Sequence, residues 1–467
     1  MLPTAVPPTD ATLDMLLSEQ RERPLPFVVE REVRLPELPG KATVLVGMRR
    51  SGKTYRLFGQ MADLLSSGVP ASRLLYLNLE DDRLLRADVA TLDRALELFF
   101  RRDPAARAEG AWLIFDEIQV VPEWERFIRR LLDTEVARLY VTGSSARLLS
   151  GEVATAFRGR SVTVEVLPYS VREAARAEGM QAAEGVWPPG AVRRSRMDAF
   201  IDGYLTVGGF PGARALHPYD RVQMLQEYVE MVVLRDVAER HAASNLPVLR
   251  ELVASLFAAN ANRFSVSRLH GALTSQGWKV GKSTLLDYLA HLADAFLFFL
   301  VPLRSRSARQ QAVHPRKVYA VDPGLAAAMY RAGARNRGAQ LENAVYLELR
   351  RRYGRLSEGV ISYYETASGH EVDFAVDDPV RGGPPELVQV CEQLDDPATR
   401  RREIEALTEA MLETGCATGV IVCATHEEVI RTGAGVVRVI PAREWFFGPE
   451  SGSRGPKSHH EAGPAHP

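Results

Sequence analysis

The chain has little cysteine: three residues, Cys391, Cys416 and Cys423, in a length of 467. Their spacing fits no metal site and they cannot complete a disulfide framework, so they read as small core side chains of a reduced protein. An excess of one charge is missing too. Fifty-eight basic and 59 acidic side chains leave a formal net charge of -1. Composition therefore argues for no polyanionic partner, and any such surface has to be a local patch. No apolar stretch approaches the length that crosses a bilayer. The longest, Phe296 to Leu303, suits a buried strand instead. A basic-then-apolar leader pattern is also lacking at the N-terminus. The expectation is a cytoplasmic protein with no membrane partner.

What is present is the balance of a globular protein, 46% apolar and 25% charged, in a chain long enough for two to four domains. Residues 1–26 are rich in proline and charge, with one short helix expected around Ala11 to Glu19. From Ala42 onward, short apolar runs alternate with stretches of helical periodicity. The runs are Thr43 to Val46, Leu74 to Leu77, Trp112 to Phe115 and Arg138 to Val141; the helical stretches include Tyr55 to Ser66 and Leu92 to Arg102. That alternation predicts an α/β domain over 27–167, a parallel sheet with helices on both faces. Residues 168–245 read as a helical lid, 246–330 as helices followed by a hairpin, and 331–448 as α/β again. The tail 449–467, rich in Ser, Gly, Pro and His, is expected to be disordered.

The first apolar run ends in Gly47-Met48-Arg49-Arg50-Ser51-Gly52-Lys53-Thr54, followed by Tyr55. The spacing G-x4-G-K-T between a strand and a helix is the phosphate loop of nucleotide-binding proteins. Its two glycines let the backbone curl with N–H groups facing the phosphates, and the helix beginning near Lys53 adds its positive end. Lys53 would reach the β- and γ-phosphates and Thr54 would ligate Mg²⁺. A second motif, Leu113-Ile-Phe-Asp116-Glu117, puts a carboxylate at the tip of a buried strand. Asp116 suits the Mg²⁺ shell, and Glu117 suits a base that polarises the attacking water, which implies hydrolysis of ATP.

The next run ends in Thr142-Gly-Ser144-Ser145. Those hydroxyls either sense the γ-phosphate and orient water or cap the following helix, and both readings stay open. Phe157-Arg158-Gly-Arg160 precedes the run Val162 to Val166. An arginine there is read as a finger that neutralises a neighbouring subunit's γ-phosphate. The plainer reading is a surface arginine paired with Glu152 or Glu165.

With these segments, Leu77-Asn-Leu-Glu-Asp-Asp82, Phe115 to Gln119 and Thr142 to Gly151, the chain resembles a prokaryotic family of AAA-type ATPases. Members carry a C-terminal domain long described as of unknown function. The likeness continues through Tyr204-Leu-Thr-Val-Gly-Gly-Phe-Pro211, Leu234-Arg-Asp-Val-Ala-Glu-Arg240 and Glu371-Val-Asp-Phe374, and so spans about residues 30–447. It implies an AAA fold using ATP and Mg²⁺ in a homo-oligomer, of which a hexameric ring is one form. The middle motifs carry no chemistry that the residues alone reveal.

A second G-K-S-T, at Gly281, is a decoy. Only three residues separate it from Gly277, and no buried strand leads into it. It opens a helix, Ser283 to Ala293, which pairs with Val266 to Thr274 as a helix-turn-helix. Two strands, Phe296 to Leu303 and Lys317 to Val321, joined by a basic connection, resemble the wing of a winged helix. Lys279, Lys282, Arg304, Arg306, Arg309 and Lys317 are the candidate DNA-phosphate contacts. The alternative is a protein-packing module with solvated arginines.

Further on, a helix opening at Leu341-Glu342, a strand near Tyr363 and the pair Glu371 to Val376 and Leu387 to Cys391 resemble the restriction-endonuclease-like fold. There an acid on the helix, an Asp and an E-x-K would hold Mg²⁺ and activate water. Glu342 and Asp373 fill the first two places, but Gln389 and Cys391 stand where Glu and Lys are wanted. No nuclease activity is expected, with a carboxylate such as Glu386 or Glu392 as the alternative. The leading functional expectation is an ATP-driven oligomer that translocates on or remodels DNA. A nucleotide-gated regulatory or defence switch with a protein partner is the second, and an ATP-dependent nuclease the third.

Overall fold

The computed structural model describes residues 7–143, 157, 159–180, 187–241, 243, 245–305, 307–329, 336–354 and 357–449. The expectations for Ser144, Arg158, Arg306 and the tail from 450 onward lie outside the described residues.

The chain divides into two compact units. The first comprises Met1–Tyr169, Phe210–Ser255 and Val266–Phe299; the second comprises Ser170–Gly209, Leu256–Ser265 and Leu300–Pro467. The span 168–245, expected as one lid, is thus shared between them. So is 246–330.

The first unit is an α/β fold on a five-stranded parallel sheet. Its strands are β1 (Ala42–Val46), β2 (Leu74–Asn78), β3 (Ala111–Asp116), β4 (Ala137–Thr142) and β5 (Ser161–Glu165), in the order β2-β3-β4-β1-β5. All five coincide with runs read from sequence, β5 with Val162 to Val166. Continuous burial along β1 fits a strand covered on both faces. Leu57 and Met61, from the helix Lys53–Ser66, pack with Leu45, Ile114 and Tyr140 on one face. Phe115 points to the other face, where it meets Phe127 of the helix Trp124–Thr134 edge-on at 5.6 Å. Local signals set the helix starts: Asp88 caps the helix Val89–Arg102 by accepting from the Thr91 N–H at 2.8 Å. The order has a consequence for chemistry. β4 lies between β1 and β3, so the C-terminal ends of all three, where open α/β sheets bind ligands, are neighbours.

A three-stranded sheet comprises β6 (Asn262–Phe264), β7 (Phe298–Val301) and β8 (Arg316–Ala320) in the order β6-β8-β7, with β6 and β8 antiparallel. A six-stranded mixed sheet follows: β9 (Ile361–Glu365), β10 (Glu371–Val376), β11 (Glu386–Cys391), β12 (Thr418–Cys423), β13 (Glu428–Thr432) and β14 (Gly435–Pro441). Its order is β13-β14-β12-β11-β10-β9. The core under it joins Val372, Leu387, Ile421 and Val439 to Leu407 and Met411 of the helix Pro397–Thr414. That helix is punctuated by sequence, with Asp396 as N-cap, proline at its first position and Gly415 at φ 74° after its end. The Gly208-Gly209 pair has a packing reason. Gly208 has φ 75°, a Cβ there would lie 2.0 Å from Asp322 Oδ1, and the Gly209 N–H donates to Asp322 Oδ2 at 2.5 Å.

Candidate nucleotide site

The site is built at the end of β1. Gly47 has φ 146°, and a Cβ on it would come within 2.3 Å of the Val166 carbonyl oxygen, so no side chain fits there. Gly52 has φ 101° and starts the helix Lys53–Ser66 without any side-chain cap. Its left-handed backbone suits glycine, and the uncapped start leaves a positive helix end facing the loop. Arg50, between the glycines, also has positive φ. Lys53 is only 5% exposed, and its Nζ donates to the Gly47 and Met48 carbonyls at 3.0 and 3.2 Å. Burial pushes its pKa down, against the pull of Glu117 and Asp116. The Ser51 hydroxyl is buried with no partner among the described residues. A curled loop, a lysine closed onto that loop's own carbonyls and an uncapped helix start together fit a phosphate group.

Asp116 ends β3 and is 2% exposed. Three hydroxyls serve it. Tyr76 Oη donates to Oδ2 at 3.0 Å, Thr142 Oγ1 donates to Oδ1, and Thr54 adds a third bond. Burial still pushes its pKa up, opposed by the Thr142, Thr54 and Tyr76 bonds. Thr142 Oγ1 also accepts the Glu117 N–H at 3.0 Å. Thr142 thereby bridges the two acids. Glu117 holds a left-handed backbone, φ 56° and ψ 46°, a strain of about 1–3 kcal/mol for a non-glycine residue. Gln119 Nε2 donates to its Oε2 at 2.5 Å.

Other loop residues have distinct surroundings. Met48 is buried, whereas Tyr55 is exposed and edge-on to Phe58 at 5.8 Å. The Arg50 guanidinium lies 6.0 Å from the Tyr228 ring. Arg49 reaches Asp236, which the sequence reading left without a role although it belongs to the motif Leu234 to Arg240. Tyr76 and Glu80 were also missed. Glu80 stood inside the quoted motif Leu77 to Asp82, while Tyr76, inside an ordinary apolar run, gave no signal.

Arg160, a finger candidate, is exposed and ion-paired with Asp133, an acid not considered from sequence. Among the DNA candidates, Lys279, Lys282 and Arg309 are exposed. One other requires correction. Lys317 is 1% exposed and bound to Glu342, Glu371 and Asp373, so it is no phosphate contact. Arg304 is partly exposed and pairs with Asp377 through two bonds of 2.9 Å. The expected basic hairpin tip is instead partly helical, Ala308–Val313.

The Lys317 ammonium occupies the space among Glu342, Glu371 and Asp373. Gln389 joins Asp373 to Glu403: its Oε1 accepts the Asp373 N–H at 3.0 Å and its Nε2 donates to Glu403 at 2.6 Å. Cys391 lies at the end of β11, its thiol pushed up to about 11 by burial.

Comparisons with known proteins agree with this architecture. Residues 39–175 match a family model described as an AAA domain, and 199–336 match a domain of unknown function. An uncharacterized protein of Methanocaldococcus jannaschii is 30% identical over 388 residues, 82% of each chain. The chain belongs to a family of prokaryotic AAA-type P-loop ATPases. Another member, from Haemophilus influenzae, is 28% identical over 333 residues, 71% of this chain and 78% of its own. Among solved structures, the Aeropyrum pernix ORC2 protein in ADPNP–ADP complexes matches at TM-score 0.33 and 14% identity, covering 64% of this chain and 90% of that one. AMPPCP-bound DnaA from Aquifex aeolicus matches at TM-score 0.23 and 12% identity, over 60% and 86%. The family's AAA domain is a nucleotide-binding one. No helix among the described residues is long and apolar enough to cross a membrane.

Proposed function

We propose that the chain binds ATP with Mg²⁺ at Gly47–Thr54 and hydrolyses it, and that an oligomer of it couples turnover to movement on DNA. The observation that carries the hydrolytic reading is the convergence of Lys53, Asp116 and Glu117 beside an uncapped helix start. The loop amides and Lys53 hold the phosphates, with Lys53 exchanging its two carbonyl partners for phosphate oxygens. Thr54 and Asp116 are the residues that would hold Mg²⁺, which would supply charge neutralisation on the phosphate oxygens. Glu117 orients water and takes its proton once Gln119 releases the carboxylate. Arg160 crosses to a neighbouring subunit's site, leaving Asp133. DNA contact falls to Lys279, Lys282 and Arg309, whose exposure supports the role.

ATPase assays with and without duplex, single-stranded and four-way DNA test this. Lys53→Ala is expected to lose nucleotide binding. Glu117→Gln is expected to bind normally but turn over about 10²- to 10⁴-fold more slowly. Turnover by Lys53→Ala would remove the site assignment; turnover indifferent to every DNA would remove the coupling.

A further inference from the structure

The motif Leu234 to Arg240 acquires chemistry through Asp236. The helix Pro218–Met231 runs on into a π-helical segment, Val232–Glu239. That widened geometry is uncommon and recurs at functional positions. It buries Val232, Val233, Asp236 and Val237. A buried carboxylate needs partners to stay charged. Asp236, 2% exposed, has two: Arg49 Nε donates to its Oδ1 and Oδ2 at 3.2 and 3.1 Å, and Arg240 lies 3.5 Å away. Arg49 stands inside the phosphate loop, two residues after Gly47. It also sees Glu80 at 3.6 Å and the charge of Glu117, the proposed base.

We propose that Asp236 is a positioning residue that shares Arg49 with the terminal phosphate, so that a triphosphate loosens the Arg49–Asp236 pair and a diphosphate leaves it closed. This rests on the nucleotide reading of the loop. The reasoning is one of competition. Four carboxylates (Glu80, Asp116, Glu117 and Asp236) act on Lys53 and Arg49. A γ-phosphate beside Glu117 adds further negative charge within reach of the same guanidinium. Arg49 then divides its bonds, and the π-helical segment loses part of the positive charge that holds Asp236 inward. Burial and Arg49 act on Asp236 in opposite directions, the first raising and the second lowering its pKa. Occupancy of the site is thereby passed to the segment after Met231.

Calorimetric titration with ADP and with a non-hydrolysable ATP analogue tests the sharing. Asp236→Asn is expected to tighten the analogue at least about 5-fold relative to ADP. Asp236→Glu, which keeps the pair, is expected to restore the wild-type ratio. In an Arg49→Gln background, Asp236→Asn is expected to change neither ligand's affinity further. Equal effects on both nucleotides, or an undiminished effect without Arg49, would overturn the proposal. If Asp236→Asn fails to fold, Arg49→Gln alone decides: it is expected to lose discrimination between the analogue and ADP, and unchanged discrimination refutes the sharing. A wild-type chain that takes up neither nucleotide would instead refute the site.

Discussion

Lys317 Nζ lies 2.8 Å from Asp373 Oδ1, and the same ammonium is 2.6 Å from Glu342 and 3.0 Å from Glu371. A buried lysine thus sits among three acids. It acts there as a fixed counter-ion. Removing it while keeping the stem's bulk isolates the charge cost, since a buried carboxylate left unpaired is strongly unfavourable. Lys317→Met is expected to destabilise the folded chain by about 3–5 kcal/mol, read from the midpoint of urea denaturation. A variant as stable as the wild type would show that the acids do not depend on the ammonium.

The same cluster sets a pH dependence. Lys317 faces Glu342, Glu371 and Asp373, and Glu371 is also held by Arg263. One ammonium cannot neutralise all the acids, and Glu342 is the one pushed up, to about 8, by burial first and by Asp373 second. Tyr319 Oη also donates to it, at 2.7 Å. A carboxyl that binds its proton more tightly when folded adds stability that is fully present below its unfolded pKa of about 4.3. That contribution is lost as pH rises towards 8. Lys317, whose pKa is raised, changes only at higher pH, and Glu371, whose pKa is lowered, changes only at lower pH. Denaturation series from pH 5 to 8 are therefore expected to show falling stability in the wild type and a flatter profile in Glu342→Gln. Parallel profiles would contradict the assignment.

Some of this was legible in the sequence and some was not, for a consistent physical reason. Phosphate-loop spacing and the strand ending at Asp116 are local patterns, and each stands where the residues imply. Lys317 was misread because a lysine beside arginines resembles a phosphate contact. What decides its role is Asp373, 56 positions away, and nothing local to Lys317 reports that partner. Asp236 takes its surroundings from Arg49, 187 residues earlier in the chain. Long-range polar pairs leave little trace in periodicity or composition.

Thr142 tests whether orientation of the two acids matters to turnover. Its hydroxyl donates to Asp116 and accepts from the Glu117 N–H, and it is fully buried. Thr142→Val keeps the shape and removes both bonds. Losing one buried hydrogen-bonding group costs about 1–3 kcal/mol, so a modest fall in stability is expected. Turnover is expected to fall about 10-fold or more, with KM for ATP changed far less, because the loop that holds the phosphates is untouched. A rise in KM alone would mean that Thr142 supports binding and not the chemical step.

The exposed basic residues make a quantitative test of DNA contact. Each phosphate neutralised by a lysine contributes about -0.9 to the slope of log affinity against log salt. Lys279 and Lys282 are exposed at the turn before and the start of the helix Lys282–Asp294, with Arg309 exposed as well. Replacing both lysines by glutamine is expected to weaken duplex binding regardless of its sequence and to make the salt slope shallower by about 2. Lys317→Met should leave that slope unchanged, because a buried ammonium releases no counter-ion from DNA. Fluorescence anisotropy on a labelled duplex across a salt series reads both. A slope that shifts with Lys317 but not with Lys279 and Lys282 would return the DNA contact to the strand β8 and reverse the assignment made from burial.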